Sequence, residues 1–266
     1  MKLNIGMNIK YHLSNGCSFS TKKRYLSCHQ KLGELLKLQP TMNLAKGGRG
    51  NDRCVQTTIH WFLKNPERMK DTFVSIGWSS GHRWDYVHKL KTQELLDRGI
   101  KGYKHEVAKF DRQWASWRTW EQDWIARDKD CDIDASSAVR LYTNIITLQN
   151  FFKLHNIPYV MYWALTNDLP QEGDFDVLYK AVDQTHFMNF QASEHAQENI
   201  GIYNKMKNML KVQVPNKDYV QSHFEFCAKK GWTKSRNDGH PDKRGHHGWA
   251  QLLCDFIQQN QLLPHD

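Results

Sequence analysis

The sequence predicts a three-layer α/β/α domain with a flavodoxin-like, mostly parallel central sheet. The first observation is that short apolar segments alternate with amphipathic helical segments through about the first 80 residues, as in repeated βαβ units. The second is the length of 266 residues, which suits one large domain carrying an insertion. The third is that no internal repeat or low-complexity tract divides the chain. We therefore expect residues 1–266 to form one domain.

Strands are expected where short apolar runs end at small or turn-forming residues. These are residues 9–14, 42–45, 73–77 and 158–165, with a short strand at 187–190. Helices are expected at 25–38, 52–63, 135–155 and 249–260, where apolar residues recur on one face. Asn51 or Asp52 is the expected N-cap of the second helix. A polar loop is expected from 237 to 245, before the last helix.

Residues 81–134 interrupt the alternation after the third strand, and we predict that they form a helical, Trp-rich insertion. Aromatic residues at positions 110, 114, 117, 120 and 124 recur at helical spacing. Such a stripe is typical of a helix packed on the main domain. Because the insertion follows a strand end, a lid or wall beside a cleft is the alternative.

The composition indicates where the protein is located but says little about which reaction it catalyses. The net charge is +9, from 37 basic and 28 acidic residues, and the basic residues are scattered rather than gathered in a tail. No segment approaches the ~20 apolar residues of a membrane span, and the amino terminus lacks the apolar stretch of a signal peptide. We expect a cytoplasmic or virion-associated protein with no membrane partner. The sequence does not indicate an oligomeric state.

The cysteines predict reduced thiols rather than a disulfide framework or a zinc ribbon. They form no CxxC pair and have no regular spacing. The six residues are Cys17, Cys28, Cys54, Cys131, Cys227 and Cys254.

Ser18 is the first candidate for chemistry. It follows the first predicted strand in the small-residue segment Gly16-Cys17-Ser18, where an α/β sheet places ligands and where helix N–H groups favour negative charge. An ordinary helix N-cap is the alternative interpretation. Acyl transfer by a serine also needs a histidine to take its proton, a carboxylate to orient that histidine and backbone donors for the oxyanion.

The other end of the chain supplies a histidine and a carboxylate on one tight turn. In Asp238-Gly239-His240-Pro241 the acid stands two residues before the histidine, close enough to reach or steer its ring. The proline fixes the local backbone. A solvated loop histidine is the alternative.

Four segments, in this order, resemble the sequence blocks of the SGNH (GDSL-like) hydrolases. They are Gly16-Cys17-Ser18, the run from Asn43 to Gly48, the run from Ile76 to Ser80, and Asp238-Gly239-His240-Pro241. The resemblance implies that Ser18 is the nucleophile, His240 the general base and acid, and Asp238 its orienting partner. It also implies that the N–H groups of Ser18 and Gly48 form part of an oxyanion hole.

The chain departs from the family pattern at three places. Cys17 replaces the Asp of the first block, which leaves a Cys/His mechanism as an alternative. Ser79 stands where the family has the Asn of the third block, and Asn51 is a candidate replacement for that oxyanion donor. The acid at Asp238 is one position closer to the histidine than is usual in the family.

Two further residues follow the third predicted strand and are candidates for substrate binding. Arg83 suits a carboxylate or phosphate, although a surface ion pair is an equal alternative, and Trp78 is the second candidate. His240, His246 and His247 lie within eight residues and raise the alternative of a metal site. No acid or thiol nearby completes a ligand set, so we expect no metal and no cofactor, with His246 packing at the start of the last helix.

The leading hypothesis is a serine esterase or deacylase that acts on a small-molecule or glycan ester, with O-acetyl on a glycan as one candidate. The segment Gly-Cys-Ser-Phe also resembles versions carried by bacteriophages. The second hypothesis is a non-catalytic glycan-binding or structural module on the same fold, favoured by the altered third block. The third is a basic, His-rich nucleic-acid enzyme, which the scattered charge does not favour.

Overall fold

The structure of the chain is a computed structural model. It describes residues 8–21, 25–88, 113–118, 132–167, 169, 176–191, 221–235 and 238–264. The aromatic positions 110, 120 and 124 of the predicted insertion lie outside these residues.

The centre of the fold is a five-stranded sheet in which all neighbouring strands are parallel. The strands are β1 (Tyr11–Gly16), β2 (Thr41–Asn43), β3 (Thr72–Trp78), β6 (Tyr159–Trp163) and β7 (Phe187–Met188), in the order β2-β1-β3-β6-β7. When these five are counted alone, the order is 2-1-3-4-5, that of a flavodoxin-like sheet. The predicted sheet is confirmed.

Helices cover both faces of this sheet, as the three-layer prediction requires. The helices are α1 (Cys28–Leu35), α2 (Asn51–Lys64), α3 (Ile133–Leu154), α4 (Asp176–Ala181), α5 (His223–Lys230) and α6 (Lys243–Gln259). Side chains of α2 and α3 share one core with Val74 and Ile76 of β3. Side chains of α1, α5 and α6 share a second core with Phe73 of the same strand. Alternation along β3 therefore feeds two separate cores.

Local sequence signals fix where several helices begin. Ser27 caps α1 through a capping box with Gln30, and Ser222 caps α5 in the same way with Glu225. The Asp242 side chain accepts a hydrogen bond from the backbone N–H of Gly245 at the start of α6. Each cap satisfies backbone donors that the helix itself leaves without a partner.

Three predicted local structures are wrong. Gly50 is the N-cap of α2, and Asn51 and Asp52 lie inside the first turn. Ser18 begins a single 3₁₀ turn, Ser18–Ser20, whereas α1 starts only at Cys28. The expected loop from 237 to 245 is wrong in its described part, because that segment contains β9 (Asp238–Pro241) and the first turn of α6. β9 pairs antiparallel with β8 (Thr233–Ser235).

The helical character predicted for the insertion is also wrong where the structure describes it. β4 (Arg83–His88) and β5 (Gln113–Arg118) form an antiparallel pair, with Arg83 opposite Arg118. A period-3.6 pattern over short aromatic segments does not exclude strands, because aromatic residues also have high strand propensity. Helix α3 begins at the end of the predicted insertion.

Five of the six cysteines lie within the described residues, and all five are buried free thiols. Cys131 lies outside these residues. Among the described helices, none combines the length and the apolar character that crossing a bilayer requires.

A chain of buried polar groups runs through the second core beneath the sheet. The Ser75 hydroxyl lies between two histidine rings, 2.7 Å from His12 Nε2 and 2.6 Å from His29 Nδ1. His29 Nε2 is 3.2 Å from the hydroxyl of Tyr162, and His12 Nδ1 is 3.3 Å from the hydroxyl of Thr41. These contacts satisfy groups that would otherwise be costly to bury.

Burial makes His12 a pH-sensitive part of the fold. Desolvation lowers its pKa to about 3, against a small opposing effect of a hydrogen bond to the His29 backbone. The unfolded chain takes up a proton near the ordinary value of 6.5, whereas the folded chain does not. The stability contribution of the neutral ring is therefore complete above about pH 6.5 and falls as the pH drops from there toward 3.

We therefore expect the free energy of unfolding to fall between about pH 6.5 and about pH 5, by up to roughly 1.4 kcal/mol per pH unit from His12. Burial also lowers the pKa of His29, His223 and His246, so these rings add to the fall. Urea unfolding across this range measures it. The slope should decrease in His12→Asn and stay unchanged in His60→Asn, which alters an exposed histidine. A stability that is flat over this range would contradict the prediction.

Candidate active site

The first strand ends in a sharp turn that presents Ser18. Gly16 has a φ of +151°. A Cβ atom on Gly16 would lie 2.6 Å from the Ser20 hydroxyl and 2.7 Å from the carbonyl oxygen of Gly77, so only glycine fits here. The Asn15 side chain accepts from the N–H of Gly16 and donates to the carbonyl of Cys54 in α2. The turn is therefore held from both sides, and Ser18 is half-buried at its tip.

Asp238, His240 and Ser18 form one continuous hydrogen-bonded chain. His240 Nδ1 lies 2.5 Å from Asp238 Oδ1, and His240 Nε2 lies 2.8 Å from the Ser18 hydroxyl. An ionised carboxylate can only accept, so Nδ1 carries the proton and Nε2 presents its lone pair to Ser18. The ring is thus in the tautomer that can take a proton from the serine. The structure brings together residues that are 222 positions apart.

The surroundings keep Asp238 ionised. Partial burial alone would raise its pKa, but hydrogen bonds from the backbone N–H and the ring of His240 outweigh burial and lower it below 3.8. Lys234 lies 3.8 Å away and acts in the same direction. A carboxylate that stays ionised at neutral pH stabilises a protonated imidazole beside it.

Neighbouring groups fix the histidine from the remaining directions. The Phe19 ring stacks on the His240 ring, with centroids 4.9 Å apart and planes 26° apart. The Tyr25 hydroxyl donates to the carbonyl oxygen of Pro241 at 2.7 Å, which holds the end of β9. Neither Phe19 nor Tyr25 was identified from the sequence as part of the site, because only the fold brings them to His240.

The Cys17 thiol occupies a different environment from the Ser18 hydroxyl. Cys17 is 1% exposed, and its side chain belongs to the second core. A buried thiol in apolar surroundings is inert as a nucleophile. Ser18 holds the contact with His240, so the geometry favours serine over the alternative Cys17 mechanism.

The glycine-rich loop lies against the serine. A Cβ on Gly47 would come within 3.8 Å of Ser18 Cβ, and the Lys46 N–H donates to the carbonyl of Gly16 at 3.3 Å. Gly48 turns the chain with a φ of +77°. The loop therefore runs beside the hydroxyl, where the predicted Gly48 donor is needed.

The Asn51 side chain is already committed to the neighbouring loop. Its amide oxygen accepts from the N–H of Ser79, and its amide nitrogen donates to the carbonyls of Ser79 and Ser80 at 3.1 and 3.3 Å. Both amide hydrogens have acceptors, so Asn51 positions the end of β3 rather than offering a free oxyanion donor.

The Ser79 hydroxyl is buried beside the end of β3. Its Oγ is buried and has no hydrogen-bond partner among the described residues. Gly16 pairs with Gly77 in the sheet, and Ser18 and Ser79 each follow their glycine by two residues. Parallel strands carry equivalent positions to the same edge, which brings Ser79 to the side of the sheet that carries Ser18.

The two predicted substrate-binding residues differ in their surroundings. Trp78 is 0% exposed and belongs to the first core, so its prediction as a substrate contact is wrong. Alternation along β3 turns Trp78 inward, as it does Ile76. Arg83 is half-buried, and its guanidinium donates to the carbonyl of Arg49 at the end of the glycine-rich loop. A role of Arg83 in substrate binding stays a prediction.

His240 and His246 do not share one metal site, because they lie in different groups of side chains. His246 is buried in α6, as expected, and its Nδ1 accepts a hydrogen bond from the Cys28 N–H at 3.2 Å. His246 groups with Cys28 and His223, and His240 belongs to the serine site. Residues 28, 223 and 246 share no local spacing, so no sequence pattern signals the group.

Residues 14–196 match the model of a protein family described as a family of unknown function, DUF6071. The chain belongs to this family. The matched segment contains Ser18, Gly48 and Ser79, and it ends before β9, which carries Asp238 and His240.

A comparison with curated proteins gives no match. Among solved structures, the chain is similar to a crystal structure from Bacteroides fragilis described as a "putative acylhydrolase". The two are 13% identical with a TM-score of 0.39, over 96% of this chain and 88% of that chain. A likeness at this level carries no argument about function, so the functional argument rests on the geometry of the site.

The turn at Gly16 gives a test of how tightly the site is built. Gly16→Ala should lower the free energy of unfolding by roughly 1–3 kcal/mol, because the added methyl group collides with the end of β3. Gly231→Ala is the matched control, since Gly231 also has a positive φ but has open space around its Cβ position. Urea unfolding measures both variants, and equal losses would show that strain alone, rather than the close approach, limits residue 16.

Proposed function

We propose that this protein is a serine hydrolase of the SGNH type that cleaves an ester through an acyl-Ser18 intermediate. The observation that carries the proposal is the unbroken chain from Asp238 through His240 to the Ser18 hydroxyl, with contacts of 2.5 and 2.8 Å. A half-buried serine at the carboxyl edge of a parallel sheet, beside a glycine-rich loop, supports the same conclusion.

In the first half of the reaction, Ser18 Oγ attacks the ester carbonyl carbon while His240 Nε2 takes the hydroxyl proton. The carbonyl oxygen becomes the oxyanion, and we assign its stabilisation to the N–H groups of Ser18 and Gly48 and the hydroxyl of Ser79. His240 then gives its proton to the departing alcohol oxygen as the carbon–oxygen bond of the ester breaks. The acyl group remains on Ser18.

In the second half, His240 takes a proton from water, and the resulting hydroxide attacks the acyl carbon. The bond from that carbon to Ser18 Oγ breaks, and His240 returns the proton to the serine. Asp238 stays ionised throughout and stabilises the imidazolium, and the stacked ring of Phe19 holds the imidazole plane.

Arg83 extends the proposal to the substrate. Its guanidinium lies beside the glycine-rich loop, where it contacts the Arg49 carbonyl, and its remaining N–H groups suit a carboxylate or phosphate on the substrate. An O-acylated glycan stays the predicted substrate class, and a bacteriophage setting stays a prediction from the resemblance alone.

A non-catalytic binding module on the same fold is the second candidate. Two observations favour it: Asn51 is bonded to Ser79 and Ser80, and a shorter serine stands at the position of the family's asparagine donor. Under this candidate the Ser18–His240 contact exists without turnover.

Active-site labelling separates the two candidates. A fluorophosphonate probe should label Ser18 in the intact chain, and labelling should disappear in Ser18→Ala and fall by at least about 1,000-fold in rate in His240→Ala. Peptide mass spectrometry locates the adduct. Ser136→Ala is a control that leaves the site untouched, since Ser136 is an exposed residue of α3. Folded protein with no adduct on any serine would support the binding module.

The role of Ser79 has its own test. Ser79→Ala should lower kcat for a p-nitrophenyl ester by up to about 100-fold with little change in KM, because an oxyanion donor acts mainly in the transition state. Ser80→Ala removes the neighbouring buried hydroxyl and should change kcat little. Equal effects of the two substitutions would exclude Ser79 as the third donor.

A further inference from the structure

A second group of reactive side chains lies inside the second core, away from the serine. Cys28 is the first residue of α1, His223 the first residue of α5, and His246 lies in the first turns of α6. One nitrogen or sulfur atom from each residue lies within 4.8 Å of the others. All three side chains are buried. Three helices thus bring a thiol and two imidazoles to one point.

His223 has the protonation state of a metal ligand. Its Nε2 lies 3.3 Å from the carbonyl oxygen of Gly245, which can only accept, so Nε2 carries the ring proton. Burial lowers the pKa of the ring well below its ordinary value, so the ring is neutral. Nδ1 therefore has a free lone pair.

That lone pair is the second observation pointing to a ligand. His223 Nδ1 is buried and has no hydrogen-bond partner among the described residues. Leaving such an acceptor unsatisfied costs about 1–3 kcal/mol. Metal-binding histidines typically donate their other N–H to a backbone carbonyl, as His223 does to Gly245.

Cys28 has features that stabilise a thiolate once a metal ion is present. Burial raises the pKa of its thiol to about 12, so without a metal ion the sulfur stays protonated. The Tyr162 hydroxyl lies 3.3 Å from Sγ and can donate to it, and the sulfur sits at the amino terminus of α1. A bound cation displaces the proton outright.

His246 completes the group. Its Nδ1 accepts from the Cys28 N–H at 3.2 Å, so its lone pair already faces the cysteine. Binding a cation through Nδ1 breaks this hydrogen bond, and the metal–nitrogen bond must offset the loss of the acceptor of the Cys28 N–H. The ring of His246 lies 5.4 Å from the ring of His223, between centroids. Donor atoms on a bound ion are about 3.5 Å apart, so side-chain shifts of roughly 1 Å close the site.

We propose that Cys28, His223 and His246 form a buried binding site for a thiophilic d¹⁰ metal ion, Cu⁺ or Zn²⁺. One thiolate and two neutral imidazoles are the donors that such ions prefer. On binding, a metal–sulfur bond replaces the S–H bond and the proton leaves to solvent. The site then carries no net charge with Cu⁺ and one positive charge with Zn²⁺, and a buried net charge is costly, so charge balance favours Cu⁺.

The proposed metal site is connected to the serine site through Tyr25, but it does not depend on the proposed hydrolase activity. The Tyr25 ring contacts the His246 ring, and its hydroxyl holds the Pro241 carbonyl at the end of β9. A metal ion would therefore cross-link α1, α5 and α6 behind the strand that carries His240. Metal binding should raise the melting temperature of the chain.

Metal titration of the full chain tests the proposal. Reduced, metal-free protein is titrated under anaerobic conditions with Cu⁺ or Zn²⁺ against a competing chelator, and bound metal is counted by elemental mass spectrometry. We expect one ion per chain, lost in Cys28→Ser and in His223→Gln. Cys254→Ser is the matched control, because Cys254 is a buried cysteine of the same core outside the group.

X-ray absorption on the unaltered, metal-loaded chain keeps the proposal testable if a variant does not fold. The expected spectrum has one sulfur and two nitrogen donors. Binding of either ion with this donor set supports the site, and a preference for Zn²⁺ would overturn only the charge argument. No stoichiometric binding, a spectrum without sulfur, or equal metal loss in Cys254→Ser would overturn the site itself.

Discussion

The pairing of Gly16 with Gly77 in neighbouring parallel strands is the constraint on which the rest of the site depends. It brings two strand ends so close that neither position tolerates a side chain: a Cβ on Gly77 would lie 2.7 Å from the Tyr162 hydroxyl. Because the strands are parallel, the segments that follow both glycines leave the sheet at one edge. Ser18 and the end of β3 are neighbours for this reason, before any side-chain chemistry is considered.

The polar groups beneath that edge form one connected network in the second core. Gly16 and Gly77 leave room for the Ser20 and Tyr162 hydroxyls, which lie 3.4 Å apart. From Tyr162 the contacts continue to His29 and Ser75, and also to Cys28. A network of this kind is worth more as a unit than its pairs suggest, because each group polarises the next in a low-dielectric interior.

How far the sequence predicts the fold depends on how local each signal is. The strands and long helices follow from periodic apolar residues, and β3 lies within one residue of its predicted bounds at each end. Ser18, Asp238 and His240 could be predicted as site residues because small residues at a strand end and an acid near a histidine are local sequence patterns. Trp78 was misjudged because the face that a strand residue occupies depends on which helices cover it.

Other features could not be read from the chain because they depend on distant contacts. Asn51 lies in α2, and its bonding partners Ser79 and Ser80 follow β3, 28 and 29 positions along the chain. The histidine stacked on Phe19 is more than 200 positions away. The aromatic residues of the insertion have helical spacing, but positions 114 and 117 lie in β5, which pairs with β4. In each case a contact between distant parts of the chain decides the arrangement, and the local sequence does not show that contact.

Ser18 and the Asp238–His240 pair of the candidate triad are held in place by different parts of the structure. Ser18 is fixed by β1 at the centre of the sheet, where β1 and its neighbour β3 are buried on both faces. Asp238 and His240 stand on a two-stranded ribbon, and such a ribbon is marginal by itself. Its position depends on α5 and α6, which pack against the second core through Phe226, Trp249 and Leu253. The packing of α5 and α6 therefore supports the ribbon that brings His240 to within 2.8 Å of the serine hydroxyl.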